Sequence, residues 1–186
     1  MLYGNKDIFA IEYQIDEDHC GKLMMGNCCL YFQGNPIGKN PYTWYLVDLM
    51  MILKQLLKNN DQRYAPKLFA LSDQEFSDVI YKVCFEDKDE LFYQYLPQKR
   101  DLSDYMLVLD NTSVFIDDYI IYFVDNDEYT KVWYCKSTDP RHNHYKSFLI
   151  PLGEAEHVLE QAYQDLARLQ PILIAEEAAK QITEKT

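Results

Sequence analysis

Phe9, Ile11, Tyr13 and Ile15 alternate with Ala10, Glu12 and Gln14. Successive side chains of a strand point to opposite faces, so this period of two predicts a strand with one buried face, the clearest in the chain. After the acidic turn Asp16-Glu17-Asp18, the stretch from Leu23 to Gln33 reads as a second strand. It is closed by Gly34-Asn35-Pro36-Ile37-Gly38, whose glycines and proline suit a tight turn. The first two strands are expected to pair as a hairpin.

The period then changes to that of a helix. Asn40 before Pro41 suits an N-cap and a first-turn proline, and Leu46, Leu49, Met50, Leu53, Leu56 and Leu57 follow at helical spacing, which predicts a helix over about 41–58. Trp44, Val47, Met51 and Ile52 add apolar residues on further faces, as expected of a central helix covered on more than one side. Ser72-Asp73-Gln74-Glu75 has the form of a capping box and is followed by Phe76, Val79, Ile80 and Val83, so a second helix starts there. The charged stretch 86–104, which contains Pro97, reads as a short helix or an irregular surface connection.

Extended stretches return at Met106 to Leu109, Tyr119 to Val124, Thr130 to Cys135 and Tyr145 to Ile150, the last ended by Pro151. Asp125-Asn126-Asp127-Glu128-Tyr129 suits a hairpin turn, and Ser137 to His144 a polar loop, so these strands are expected to form a meander. Gly153 to Leu169 predicts a strong final helix, with Pro171 breaking or kinking it and Ile172 to Thr186 as a helical tail. The resulting class is α+β: a mixed, mostly antiparallel sheet in the order β-β-α-α-β-β-β-α with helices packed on one face. A single domain over 1–170 and a helical C-terminal tail over 171–186 are expected, because 186 residues with 48% hydrophobic content can bury one core unaided.

The amino terminus lacks a basic segment followed by an uninterrupted apolar one, so no secretory signal is read. The most apolar run, Trp44 to Leu57, is broken by Asp48, Lys54 and Gln55 and implies no membrane span. Five cysteines are an odd number, and none has CxxC spacing, which fits reduced thiols in a cytoplasm.

Charge is unevenly placed. The total is −12, yet residues 73–128 hold fifteen acids against four bases, a net of −11. Such a field repels nucleic acid and speeds encounter with a cationic partner.

Few residues suggest catalysis. GxSxG, P-loop and GxGxxG patterns are absent. His142-Asn143-His144 could place two imidazoles together, but Asp139-Pro140-Arg141 before them is turn chemistry. His19-Cys20 with Cys28-Cys29 offers soft ligands at no zinc-site spacing. Asp125-Asn126-Asp127 begins like a calcium loop but has Thr130 where the glycine belongs and Lys136 where the glutamate belongs. No cofactor, metal site or catalytic residue is therefore assigned. The carboxylates Asp117-Asp118, Asp125/Asp127/Glu128 and Glu86/Asp87/Asp89/Glu90 read as solvated surface or as a docking face for a basic protein, and acid/base catalysis ranks third. Tyr119, Tyr122, Tyr129 and Tyr134 lie among these acids, a composition suited to protein interfaces.

The opening, Met1-Leu2-Tyr3-Gly4-Asn5-Lys6-Asp7-Ile8-Phe9-Ala10-Ile11-Glu12-Tyr13, with Gly26 to Phe32 and Gly34 to Gly38, resembles the start of the immunity protein 42 family of bacterial polymorphic-toxin systems. The blocks Phe115 to Tyr129, Val132-Trp133 and Phe148-Leu149-Ile150-Pro151-Leu152-Gly153 resemble its ending, although Asp118 stands where glycine is expected. Residues 60–105 have no counterpart. The resemblance implies an antitoxin that binds a cognate toxin C-terminal domain, as in contact-dependent growth inhibition, and supplies no catalytic residues. Toxin contact is then expected from Asp117, Asp118, Tyr119, Asp125, Asp127, Glu128, Tyr129, Glu86, Asp87, Asp89 and Glu90. A small intracellular hydrolase or nuclease, or an acidic adaptor without a toxin, are the alternatives.

Overall fold

The computed structural model describes residues 1–38, 44–60, 63–86, 90, 93–95, 106–108, 119–136 and 145–183. These fall into two compact units, one from residues 1–57 and 156–183, the other from those described within 58–109 and 117–155.

The first unit is built on strands β1 (Leu2–Asn5), β2 (Phe9–Ile15), β3 (Met25–Phe32), β4 (Asn35–Ile37) and β5 (Trp44–Tyr45). The order is β1-β2-β3-β4 with β5 also on β3, and every pairing is antiparallel. The alternation at 9–15 does what its period requires: Phe9, Ile11 and Tyr13 face inward opposite Phe32, Leu30 and Cys28, all buried. Two helices cover that sheet, α1 (Leu46–Lys58) and the 30-residue α4 (Glu154–Thr183). Both come in close where glycine leaves room. A Cβ on Gly26 would stand 2.9 Å from Leu46 Cδ1, and one on Gly4 2.7 Å from Val158 Cγ2.

Three details differ from the sequence expectation. The turn is earlier and tighter than 34–38: Gln33 and Gly34 both take positive φ, as two-residue hairpin loops require, and Asn35-Pro36-Ile37 returns as β4. Pro36 is tolerated there because β4 is an edge strand, where a missing N–H breaks no ladder. Helix α1 starts at Leu46, not 41, since Trp44 and Tyr45 first pair with Gly26 and Met25; residues 40 and 41 lie outside the described set. Pro171 does not end α4. A mid-helix proline costs about 3 kcal/mol, and contacts beyond it offset that: Leu173 is buried, Glu176 sits 3.6 Å from the buried His19, and Lys180 Nζ donates to the Glu17 carbonyl at 3.5 Å.

The second unit contains α2 (Pro66–Phe69), α3 (Asp73–Glu86) and strands β6 (Met106–Val108), β7 (Tyr119–Asp125), β8 (Tyr129–Lys136) and β9 (Lys146–Pro151). The strands form the expected antiparallel meander, β6-β7-β8-β9. The class is α+β as expected, but the strands are divided between two antiparallel sheets and not joined in the one mixed sheet the sequence suggests. Ser72 and Glu75 form a reciprocal capping box: the Ser72 N–H and hydroxyl donate to Glu75 Oε2 at 2.8 and 2.7 Å, and the Glu75 N–H donates to Ser72 Oγ at 3.3 Å. Phe76 on α3 then stacks flat on Trp133 of β8, centroids 4.0 Å apart, in a core with Leu68, Val79, Ile80, Tyr122 and Val124. Asp73 fixes the helix start to the sheet by accepting from Trp133 Nε1 at 3.2 Å and Ser147 Oγ at 2.5 Å.

Candidate functional site

The β7–β8 turn carries one of the expected acidic groups, Asp125, Asp127 and Glu128. Asn126 shapes its tip, because its Oδ1 accepts from the N–H groups of Glu128 and Tyr129 at 2.9 and 2.7 Å, an Asx turn. The Asn126 N–H donates to the Tyr129 carbonyl at 3.0 Å, and the Leu152 N–H to the Glu128 carbonyl at 2.9 Å. Asp127 and Glu128 are thereby left exposed at the apex.

Asp125 does something else. It is only 5% exposed, and its carboxylate accepts from Arg63 Nε at 3.2 Å and Thr130 Oγ1 at 2.6 Å. Arg63 is wholly buried; burial pulls its guanidinium down from its ordinary range, and Asp125 opposes that pull. Asp125 therefore belongs to the root of the turn, not to its surface. On the other side, Lys131 is half-buried over the Trp133 ring, its Nζ donating to the Phe69 and Leu71 carbonyls at 3.2 and 2.6 Å. Arg63 and Lys131 are thus directed inward, and among the described residues no ion pair neutralises Asp127 or Glu128.

Aromatic and aliphatic area surrounds the apex. Tyr64 is 44% exposed and its hydroxyl donates to Asp127 Oδ1 at 3.0 Å; Tyr129 is 39% and Leu152 47% exposed. Leu149 is also exposed, and because it pairs with Lys131 while Tyr129 pairs with Pro151, Leu149 and Tyr129 share one sheet face. The result is an acidic ridge with apolar shoulders, a form that suits protein contact.

A concavity lies on the open face of the first sheet. It measures about 520 Å³ and is lined by Glu12, Gln14, Asn27, Cys28, Cys29 and Tyr31 among others. Its charge is satisfied locally, with Lys6 Nζ on Glu12 Oε2 at 2.8 Å, the Tyr31 hydroxyl donating to the same oxygen at 2.7 Å, and Lys6 over the Tyr31 ring. Lys6 and Tyr31 hold the Glu12 carboxyl below its ordinary range, and burial pushes both thiols up. A carboxylate held ionised is a poor general acid, and a thiol held protonated is a poor nucleophile. Among the described residues no three His, Cys, Asp or Glu side chains gather to hold a metal.

Against this geometry stand the comparisons with known proteins. The profile of the immunity protein 42 family matches residues 1–165, and so runs through residues 60–105, for which the sequence alone offered no counterpart. The chain belongs to that family. A solved structure of CdiI from Burkholderia dolosa has the same fold: the TM-score is 0.61 at 18% identity, covering 89% of this chain and 99% of that one. No curated protein matches the sequence.

In this immunity protein 42 chain the anticipated contact residues separate. Asp127, Glu128 and Tyr129 form the ridge, with Asp125 beneath it. Glu86 and Glu90 are exposed elsewhere in the second unit's sequence. Asp87, Asp89, Asp117, Asp118 and the side chain of Tyr119 lie outside the described residues, as do His142 and His144. Tyr122 is core and Tyr134 stacks on Phe148. Sequence reasoning did not find Arg63, Tyr64 or Leu152; a lone basic residue in a charge-balanced region gives no sign that it will be buried under an acidic turn. No helix among the described residues is long and apolar enough to cross a membrane.

Proposed function

We propose that this immunity protein is an antitoxin that acts by binding alone, docking the acidic ridge of its second sheet onto a cationic toxin domain and occluding the active site or an essential surface of that domain. One observation carries the reading: Asp127 and Glu128 are exposed beside Tyr64, Tyr129 and Leu152, whereas Arg63 and Lys131 are directed inward. Exposed acids steer a positive partner and raise the association rate; rigid tyrosines and leucine, once buried, slow dissociation. Glu86 and Glu90 would widen the field, and Asp87, Asp89, Asp117 and Asp118 belong to the same proposal by charge alone.

A nuclease is the toxin class that best fits such an acidic surface, because a cleft built for phosphate backbones is itself positive. The place of action is the cytoplasm, where that substrate is found. Co-purification with the product of the adjacent upstream gene, followed by growth rescue, tests the proposal. Wild type should form the complex and protect cells, and Asp127→Lys with Glu128→Lys should weaken both. Full protection by the charge-reversed variant, or turnover of a substrate by the purified chain alone, contradicts it.

A further inference from the structure

We infer that Arg63 is a positioning residue for the docking ridge, holding the root of the Asp125–Tyr129 turn through Asp125 so that the apex meets its partner already shaped. The inference rests on the ridge being the docking surface.

The segment around Arg63 grips the turn through main chain and side chain at once. The Asp125 N–H donates to the Arg63 carbonyl at 2.9 Å and the Ala65 N–H to the Asp125 carbonyl at 3.0 Å, making a parallel bridge between Tyr64 and Asp125. From the same segment, Arg63 Nε reaches Asp125 Oδ2, while Arg63 Nη2 donates to Asn60 Oδ1 at 2.6 Å and the guanidinium lies over the Phe123 ring. Thr130 Oγ1 takes the other oxygen of Asp125 from across the hairpin. Asp125 is thus fixed from both sides just before the chain leaves the ladder.

A buried ion pair adds little net stability over apolar residues of the same volume, since desolvation cancels most of the attraction. What it does supply is direction: bonds from the guanidinium and the threonine hydroxyl permit one orientation of the Asp125 carboxylate. From that root, Asn126 sets the positions of Glu128 and Tyr129. The two consecutive residues divide the work, Asp125 anchoring the turn below and Asn126 shaping it above, and the side chains that follow are displayed without being ordered at the moment of binding. Preorganisation of this kind reduces the ordering cost of association and shows mainly in the dissociation rate.

The test is the double variant Arg63→Met/Asp125→Leu, which replaces the pair with apolar side chains and avoids a lone buried charge. Amide hydrogen exchange of Glu128 and Tyr129 should accelerate about tenfold or more while Phe123 and Val132 in the ladder keep wild-type protection. Dissociation from the toxin domain should accelerate about tenfold, with the association rate and its salt dependence unchanged. A folded double variant with wild-type exchange at those two amides and a wild-type dissociation rate overturns the inference. Should the double variant not fold, Thr130→Val decides: it removes one bond to Asp125 and keeps the ion pair, and wild-type exchange at Glu128 and Tyr129 would again overturn it. Should the turn amides loosen in the double variant while Asp127→Lys/Glu128→Lys leaves binding intact, the clamp stands and the docking surface is elsewhere.

Discussion

The open face of the first sheet and the β7–β8 turn of the second hold similar residues in opposite arrangements. On the first, Lys6, Glu12 and Tyr31 meet in one half-buried cluster, so positive and negative charge cancel where solvent can see both. At the turn, Arg63 and Asp125 cancel out of sight while Asp127 and Glu128 remain on display. Composition alone does not separate the two cases. What differs is where the positive charge sits: beside the accessible acid on the first sheet, beneath the turn on the second, where the apex acids keep a field that a partner can follow.

The sharpest way to break this contrast is to remove the buried cation. Arg63→Met should destabilise the protein by about 3–5 kcal/mol, because Asp125 is left charged and unpaired inside. Urea unfolding at neutral pH measures it, and a loss below about 1 kcal/mol would place Asp125 in water. Charge reversal at the apex comes next. Asp127→Lys with Glu128→Lys should leave stability nearly unchanged and weaken toxin binding about 10- to 100-fold, or about 1.4–2.8 kcal/mol.

Smaller effects sharpen the same contrast. Ser72→Ala removes the cap of α3 and should cost about 1 kcal/mol by thermal or urea unfolding, without altering toxin affinity, since the cap supports the core and not the ridge. Lys6→Met should cost well under about 1 kcal/mol, the usual worth of an exposed pair. Acid should reveal the paired carboxyls. Glu75 is held below its ordinary pKa by the Ser72 N–H and hydroxyl, and Glu12 by Lys6 and then Tyr31. A carboxyl depressed in the folded chain stabilises above its unfolded pKa and ceases to do so as pH falls through the folded value. Stability should therefore decline below about pH 4.5, and Glu75→Gln or Glu12→Gln should flatten that decline.

Local signals survived into the structure where chemistry and period were both local. The alternation at 9–15, the capping box at Ser72 and Glu75, and the turn between β7 and β8 each rest on residues within a few positions of one another. Elements decided by distant partners depart from their local signals. Trp44 and Tyr45 follow a proline that suits a helix start, yet they pair with β3; Pro171 carries a break signal, yet contacts to Glu17 and His19 hold the helix through it. The site divides along the same line. Acidic residues near the turn were legible from charge, but nothing local distinguishes Asp125 from Asp127. The distinction comes from Arg63, 62 positions away in the chain.

The association rate constant of the chain with its toxin domain, measured across a series of ionic strengths, tests most directly whether exposed acid on the second sheet exists to capture a positive protein. The rate should fall steeply as salt rises, and the Asp127→Lys/Glu128→Lys variant should lose most of that slope. A wild-type rate that salt does not change, or a variant with the wild-type slope, would contradict the claim.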